Sequence, residues 1–178
     1  MKKFLVILMV LGIAGYALAQ DTGSQVVTMN VAQAIELTVP SNLSWGDLAP
    51  GSNESPAQVV NVKSNALYDL SIKNFNGASL PDSVALKPWK YDTEADTFFI
   101  AGGYIDNTTQ FKGGDVASYT NITTENQAIL TEASATDDTG TDTNVYYSLS
   151  VGWGDERLTG ANQAYAIKMT FYAVHSVL

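Results

Sequence analysis

Residues 25–39 read QVVTMNVAQAIELTV, and their alternation of apolar and polar side chains indicates the fold class. An apolar residue at every second position is the pattern of a β-strand with one buried face, and only Gln33 breaks this phase. The apolar phase consists of Val27, Met29, Val31, Ile35, Leu37 and Val39. Fully extended, the segment would span about 50 Å, which is about two to three times the usual strand length. It therefore either bends near Gln33, as the first strand of its own domain, or reaches beyond that domain.

The rest of the chain is also dominated by short alternating runs. They cover residues 57–63, 66–73, 145–153 and 165–173, with weaker runs at 98–105 and 128–131. Ser64 and Asn65 stand in a two-residue turn position between the first two runs, and Tyr68, Leu70 and Ile72 share one face. Residues 41–56 and 132–142 have the composition of loops. Since no long window has a helical period, the sequence predicts a single antiparallel β-sandwich of the jelly-roll or Ig-like kind over residues 20–178.

The N-terminus has the pattern of a cleaved export signal. Lys2 and Lys3 precede an apolar run, and Ala17-Leu18-Ala19 forms a small-residue cleavage site before Gln20. We therefore assign residues 1–19 to a signal peptide and expect a chain that is secreted, held at the cell surface or periplasmic, with no membrane span after processing. Without these two lysines, the chain has seven basic and 18 acidic side chains, and its net charge is −11. Such a charge disfavours nucleic acid as a partner.

Part of the N-terminal third resembles a known group of secreted proteins. The turn Trp45-Gly-Asp-Leu-Ala-Pro50-Gly51 follows the long alternating segment and precedes a strand that begins Val59-Val-Asn-Val-Lys-Ser-Asn65. This order is similar to that of the TasA and camelysin group of matrix-fibre proteins and of the archaeal bundling pili. The resemblance covers residues 27–73 and implies a jelly-roll-like sandwich. In some members of that group, an N-terminal strand is donated to the next subunit.

No residue pattern points to an enzyme. The chain has no cysteine and one histidine, His175, and it contains none of the common hydrolase, zinc-protease or phosphate-binding motifs. It also lacks the zinc motif on which a camelysin-like protease activity would depend. We expect His175, at a strand end, to be structural, and we predict no catalytic residue, no resident cofactor and no metal site among cysteine or histidine ligands.

Two weaker binding hypotheses come from loops and aromatic residues. The stretches at residues 92–96 and 137–144 alternate oxygen-bearing side chains as calcium loops do, although neither matches the EF-hand pattern. Trp89 and Tyr91 are aromatic residues whose phase permits exposure, and exposed rings could stack on a sugar. Four glycosylation sequons begin at Asn42, Asn53, Asn107 and Asn121, and they matter only if the host glycosylates.

Two functions follow from these observations. The first is a non-enzymatic structural subunit of a surface fibre, pilus or envelope layer, which self-associates or joins other envelope proteins. In that case Val27, Met29, Val31 and Ile35 belong to an assembly strand, and residues 20–31 are exchanged between subunits. The alternative is a monomeric envelope-associated binding module for carbohydrate or calcium.

Overall fold

The computed structural model describes residues 27–74, 86–99 and 103–176, and the secondary structure of these residues is all β. No helix occurs in those three ranges, and thus none that is long and apolar enough to cross a membrane. The twelve strands are β1 (Ile35–Thr38), β2 (Gly51–Glu54), β3 (Gln58–Ser64), β4 (Tyr68–Asn74), β5 (Trp89–Asp92), β6 (Thr97–Phe98), β7 (Gln110–Gly113), β8 (Val116–Asn121), β9 (Gln127–Ala133), β10 (Thr141–Val151), β11 (Gln163–Ala166) and β12 (Met169–His175).

Two antiparallel sheets enclose the main hydrophobic core. The first has the order β1-β3-β10-β7-β8, with β2 also paired to β10, and the second has the order β12-β4-β9. Alternate residues of both sheets point into the core, which confirms the predicted all-β antiparallel architecture of the sandwich type. The buried members of the core are Val60, Val62, Tyr68, Leu70, Ile72, Phe111, Ile122, Ile129, Val145 and Tyr147.

The chain bends after Ser64, at the predicted turn position between β3 and β4. The flanking strands β3 and β4 form as expected, and Tyr68, Leu70 and Ile72 are buried on one face of β4. The two strands pair with different sheets, however, so the connection crosses the sandwich. Local turn chemistry indicates a reversal of the chain, but it does not say which strand pairs with which.

A third, small sheet has the order β11-β5-β6 and a core of its own around Trp89 and Phe98. Its strand β11, Gln163–Ala166, overlaps the start of residues 165–173, which the alternation predicts to be one strand. The chain instead breaks at Ile167 and Lys168, and β12 continues in the second sheet. Of the run predicted at 98–105, residues 100–102 lie outside the described residues, and the described part contains the end of β6 and an isolated bridge between Trp89 and Tyr104.

Strand β10 organises the first sheet, because it pairs with three other strands. Its first half pairs with β3 and its last four residues with β2, while its middle pairs with β7. Ser55, between β2 and β3, makes two hydrogen bonds to Tyr147 of β10. Its N–H donates to the Tyr147 carbonyl, and its hydroxyl accepts from the Tyr147 N–H, both at 2.9 Å. Strand β2 lies within a predicted loop, and its polar sequence has no alternation that could reveal it.

The long strand predicted at residues 25–39 is present only in part. Strand β1 occupies Ile35–Thr38, and residues 27–34 belong to no strand. The chain divides here into two units, Met1–Ala32 and Gln33–Leu178, which we describe separately. The predicted signal peptide at residues 1–19 lies outside the described residues.

Candidate functional site

The described residues of the N-terminal unit present three large apolar side chains to solvent. Val27, Met29 and Val31 are 64%, 83% and 87% exposed. They share the phase of Ile35 and Leu37, which pack against the main core. Because the alternation is the same but the burial is opposite, residues 27–31 have the sequence of a strand without the sheet that would bury it.

Ile35 does not belong with these three exposed residues, although the sequence groups it with them. It pairs with Ser64 of β3 and packs against the core of its own sandwich. Because the intramolecular sheet already uses Ile35, only the part of the segment before β1 remains available for the predicted assembly strand.

The start of the sandwich is fixed at Ala34 by hydrogen bonds from two directions. The Asn65 carboxamide oxygen accepts from the Ala34 N–H at 2.8 Å, and the Asn65 N–H donates to the Ala34 carbonyl at 3.2 Å. His175 Nε2 lies 3.3 Å from the same carbonyl. His175, at the end of β12, therefore contacts the start of the sandwich.

Trp89 does not form the exposed aromatic surface that the sequence predicts. It is 6% exposed, its indole N–H donates to the Phe99 carbonyl at 2.6 Å, and its ring stacks on Tyr104 at 5.2 Å between centroids. Tyr91 is half-buried and packs edge-on against Phe98 at 5.0 Å. Both side chains serve the core of the small sheet, so the prediction of an exposed pair is wrong.

Trp153, by contrast, is highly exposed, at 92%. The alternation places it in phase with Val145, Tyr147 and Leu149 of β10, but that strand ends at Val151. Gly152 and Gly154, which flank Trp153, are the signal that could have indicated an end to the strand before this residue.

In each of the two acidic stretches, one carboxylate stabilises the turn of its own loop. Asp92 Oδ1 accepts from the N–H groups of Glu94 and Ala95, and Asp137 Oδ1 accepts from the N–H and hydroxyl of Thr139. The hydroxyl hydrogen bond from Thr139 is the main reason why the pKa of Asp137 lies below its ordinary value. Within the described ranges, no three Asp, Glu or His side chains come together as a metal site would require.

A polar cavity of about 310 Å³ lies on the first sheet. Its lining includes hydroxyl groups from Ser52, Thr108, Ser148 and Ser150. The carboxamide side chains at its surface are those of Asn107, Gln110 and Asn121, and Asp106 adds a carboxylate. The sequence gives little sign of this cavity, because its residues come from four separate segments.

Three of the four sequon asparagines have hydrogen-bonded side chains. The amide of Asn53 donates to the Ala49 and Gly51 carbonyls, and that of Asn107 donates to the Ser150 carbonyl at 2.8 Å. The Asn121 carboxamide oxygen accepts from Gln110. Asn42 lies exposed in the loop after β1.

Comparison of the chain with family models, with curated proteins and with solved structures gave no match. The resemblance to fibre subunits therefore rests on the turn and strand residues that carry it.

Proposed function

We propose that the protein is an exported, non-enzymatic structural subunit of a surface fibre, pilus or envelope layer, and that it assembles by β-strand addition. The observation that carries this proposal is the exposure of Val27, Met29 and Val31 in a segment with strand alternation and no strand of its own. An exported protein that exposes three large apolar side chains so close together in sequence needs an explanation, because such residues commonly mark an interaction site.

Strand addition accounts for the pattern of these residues. An extended segment that joins a sheet edge gains main-chain hydrogen bonds, and alternate side chains enter apolar pockets. Val27, Met29 and Val31 are spaced for such pockets, while Thr28 and Asn30 between them would face the other side. Aliphatic anchors at every second position are what a partner sheet would need to bury.

The direction of assembly follows from having donor and acceptor on different parts of one chain. If the segment of each subunit enters the sandwich of the next, the contact is head-to-tail and does not close on itself. Repetition of a contact of that kind produces a filament rather than a dimer. The hydrogen bonds at Ala34 support this arrangement, because they fix where the sandwich begins and thus where a donated segment would start.

Deletion of residues 20–31 tests the proposal directly. We expect the shortened chain to remain folded and monomeric, since β1 and the core begin after the deleted part. The full exported chain should form filaments or large, concentration-dependent species. Size-exclusion chromatography with light scattering and negative-stain microscopy, with and without calcium, measures both. A full chain that stays monomeric in both conditions, or a deletion variant that unfolds, would contradict the proposal.

A pair of triple variants provides the matched control. Changing Val27, Met29 and Val31 to serine removes the apolar anchors and should abolish assembly. Changing Thr28, Asn30 and Ala32 to serine alters the same segment in the other phase and should leave assembly largely intact. Equal effects of the two triple variants would mean that the alternation has no role in assembly.

The runner-up is a monomeric envelope-associated binding module for carbohydrate or calcium. The residues that suggested it, Trp89, Tyr91 and the two acidic loops, are engaged in packing and turn hydrogen bonds, so they support it less than the exposed segment supports assembly. Saturation at one ligand per chain, without assembly, would favour it.

A further inference from the structure

The polar cavity lies on the outer face of the first sheet, opposite the main core. In β10, Val145, Tyr147 and Leu149 are buried in the apolar phase, so Ser148 and Ser150 belong to the other face. Cross-strand pairing continues this polar face onto the neighbouring strands. Ser150 is opposite Ser52 on β2, Ser148 is opposite Gln110 on β7, and Gln110 is opposite Asn121 on β8.

This alignment places hydrogen-bonding side chains from four neighbouring strands on one surface. Residues directly opposite each other on a sheet have Cβ atoms about 4.5–5.5 Å apart, so the groups can contact one small molecule together. The Gln110 amide already donates to the Asn121 carboxamide oxygen at 2.9 Å, which orients both side chains. Asn107 is likewise oriented by its hydrogen bond to the Ser150 carbonyl. The surface is therefore preorganised.

Ser148 is the residue that points most directly to a ligand. It is 5% exposed and lines the cavity, and its hydroxyl makes no hydrogen bond within the described part of the chain while staying accessible to solvent. A hydroxyl without a protein partner can donate a hydrogen bond to a ligand or accept one from it. A polar molecule in the cavity would supply that partner.

The composition of the lining indicates the chemical class of this molecule. Among the described residues, the lining contains no Lys, no Arg and no apolar side chain. An anion would find no cation there, and the one carboxylate, from Asp106, lies 3.3 Å from the Lys87 ammonium. Hydroxyls and carboxamides both donate and accept hydrogen bonds, as the hydroxyl groups of a sugar do. The volume is at the lower end for ligand pockets, which suits one or two sugar rings.

The turn that carries Trp153 is connected to this cavity by hydrogen bonds. Asp155 Oδ2 accepts from the Gly152 N–H at 2.6 Å, and Asp155 Oδ1 accepts from the N–H of Asp106, a lining residue, at 3.2 Å. The turn that carries the exposed indole is thereby joined to the rim of the cavity. An aromatic ring in this position offers an apolar face to a ligand whose other groups are hydroxyls.

We propose that this cavity on β2, β10, β7 and β8 is a carbohydrate-binding site, in which the hydroxyl and carboxamide groups bind a neutral sugar unit and Trp153 stacks against its ring. The site is separate from residues 27–31 and does not depend on strand addition. It would allow an assembled or a monomeric chain to bind an envelope or matrix polysaccharide.

Calorimetric titration of the purified protein with cellobiose, maltose, lactose and chitobiose tests the proposal, with inorganic phosphate as an anionic comparison. We expect saturable binding of at least one disaccharide at one site per chain, accompanied by a change in tryptophan fluorescence, and no binding of phosphate. Ser148→Ala, Gln110→Ala and Trp153→Ala should each weaken that binding, by about tenfold for the loss of one good contact.

Ser118→Ala is the matched control, because Ser118 lies exposed on β8, the strand of Asn121, but does not line the cavity. It should bind as the unchanged protein does. Trp153→Ala keeps the test valid if the variants of buried residues fail to fold, because Trp153 is almost fully exposed. No saturable binding up to about 50 mM disaccharide, or binding that Trp153→Ala leaves unchanged, would overturn the proposal.

Discussion

Burial of Tyr147 makes the free energy of unfolding depend on pH. Its ring lies in the main core at 6% exposure, and burial raises the pKa of its phenol well above the ordinary value of about 10. In the unfolded chain the same phenol ionises near its ordinary pKa. Above about pH 10 the unfolded state therefore loses a proton that the folded state keeps, and the free energy of unfolding falls as the pH rises.

The Tyr147→Phe variant should reduce this alkaline loss of stability. It keeps the ring and removes the ionisable group, so we expect a smaller drop in the free energy of unfolding between pH 7 and pH 11 than in the unchanged protein. Urea unfolding at the two pH values measures the difference. Burial also raises the pKa of Tyr68 and Tyr165, so part of the loss should remain. An identical loss in both proteins would show that Tyr147 does not contribute.

At the scale of elements, the turn between β7 and β8 connects the two sheets. The Asp115 N–H donates to the Ile129 carbonyl at 2.8 Å, and Asp115 Oδ2 accepts from the Thr131 N–H at 3.2 Å. Gly114 precedes this contact with φ of +55°, and an added Cβ would meet the Ile129 carbonyl oxygen and the Leu130 side chain. Glycine is required here by both backbone conformation and space.

The Gly114→Ala variant should lower the free energy of unfolding by about 1–3 kcal/mol, because it combines left-handed strain with overpacking. Gly103→Ala serves as its control, since a Cβ at Gly103 meets no atom within 4 Å. Urea unfolding midpoints with unchanged slopes would report the two effects. Equal midpoints for the two variants would show that the contact with β9 is not stabilising.

For the whole molecule, negative charge opposes the proposed assembly. The chain has 18 acidic and 9 basic side chains, and loss of the predicted signal would remove two of the basic ones. Like-charged subunits repel one another, which would keep the chain soluble before assembly. Salt screens this repulsion, with a Debye length of about 10 Å at 0.1 M and about 3 Å at 1 M.

We therefore expect the assembly rate of the full exported chain to increase with salt. Light scattering at fixed protein concentration, from low salt to about 1 M, measures the rate. The variant that lacks residues 20–31 should not respond, because it keeps most of the charge but lacks the donor segment. A rate that falls as salt is added would mean that attraction between charges, rather than burial of Val27, Met29 and Val31, drives assembly.

The fold class and several of the strands could be predicted from local sequence alone. Period-two alternation indicates a buried face wherever it occurs, and this principle holds for β3, β4, β9 and β10. The polar strands β2 and β8 could not be predicted in this way, since they have no apolar phase. They form through main-chain hydrogen bonds to strands that are distant in sequence. Alternation also overstated the length of β1 and merged β11 with β12.

Which of the alternating residues are buried depends on long-range packing. Val31 and Ile35 follow the same pattern, yet Ile35 packs against the core and Val31 is exposed, because only Ile35 has a sheet to join. Trp89 was expected to be exposed, but the small sheet buries it. Trp153 lies in the apolar phase of β10, but it is exposed because β10 ends before it. The polar cavity depends on register across four strands, which no local sequence pattern encodes. Local sequence thus specifies what a strand can bury, and long-range pairing decides what it does bury.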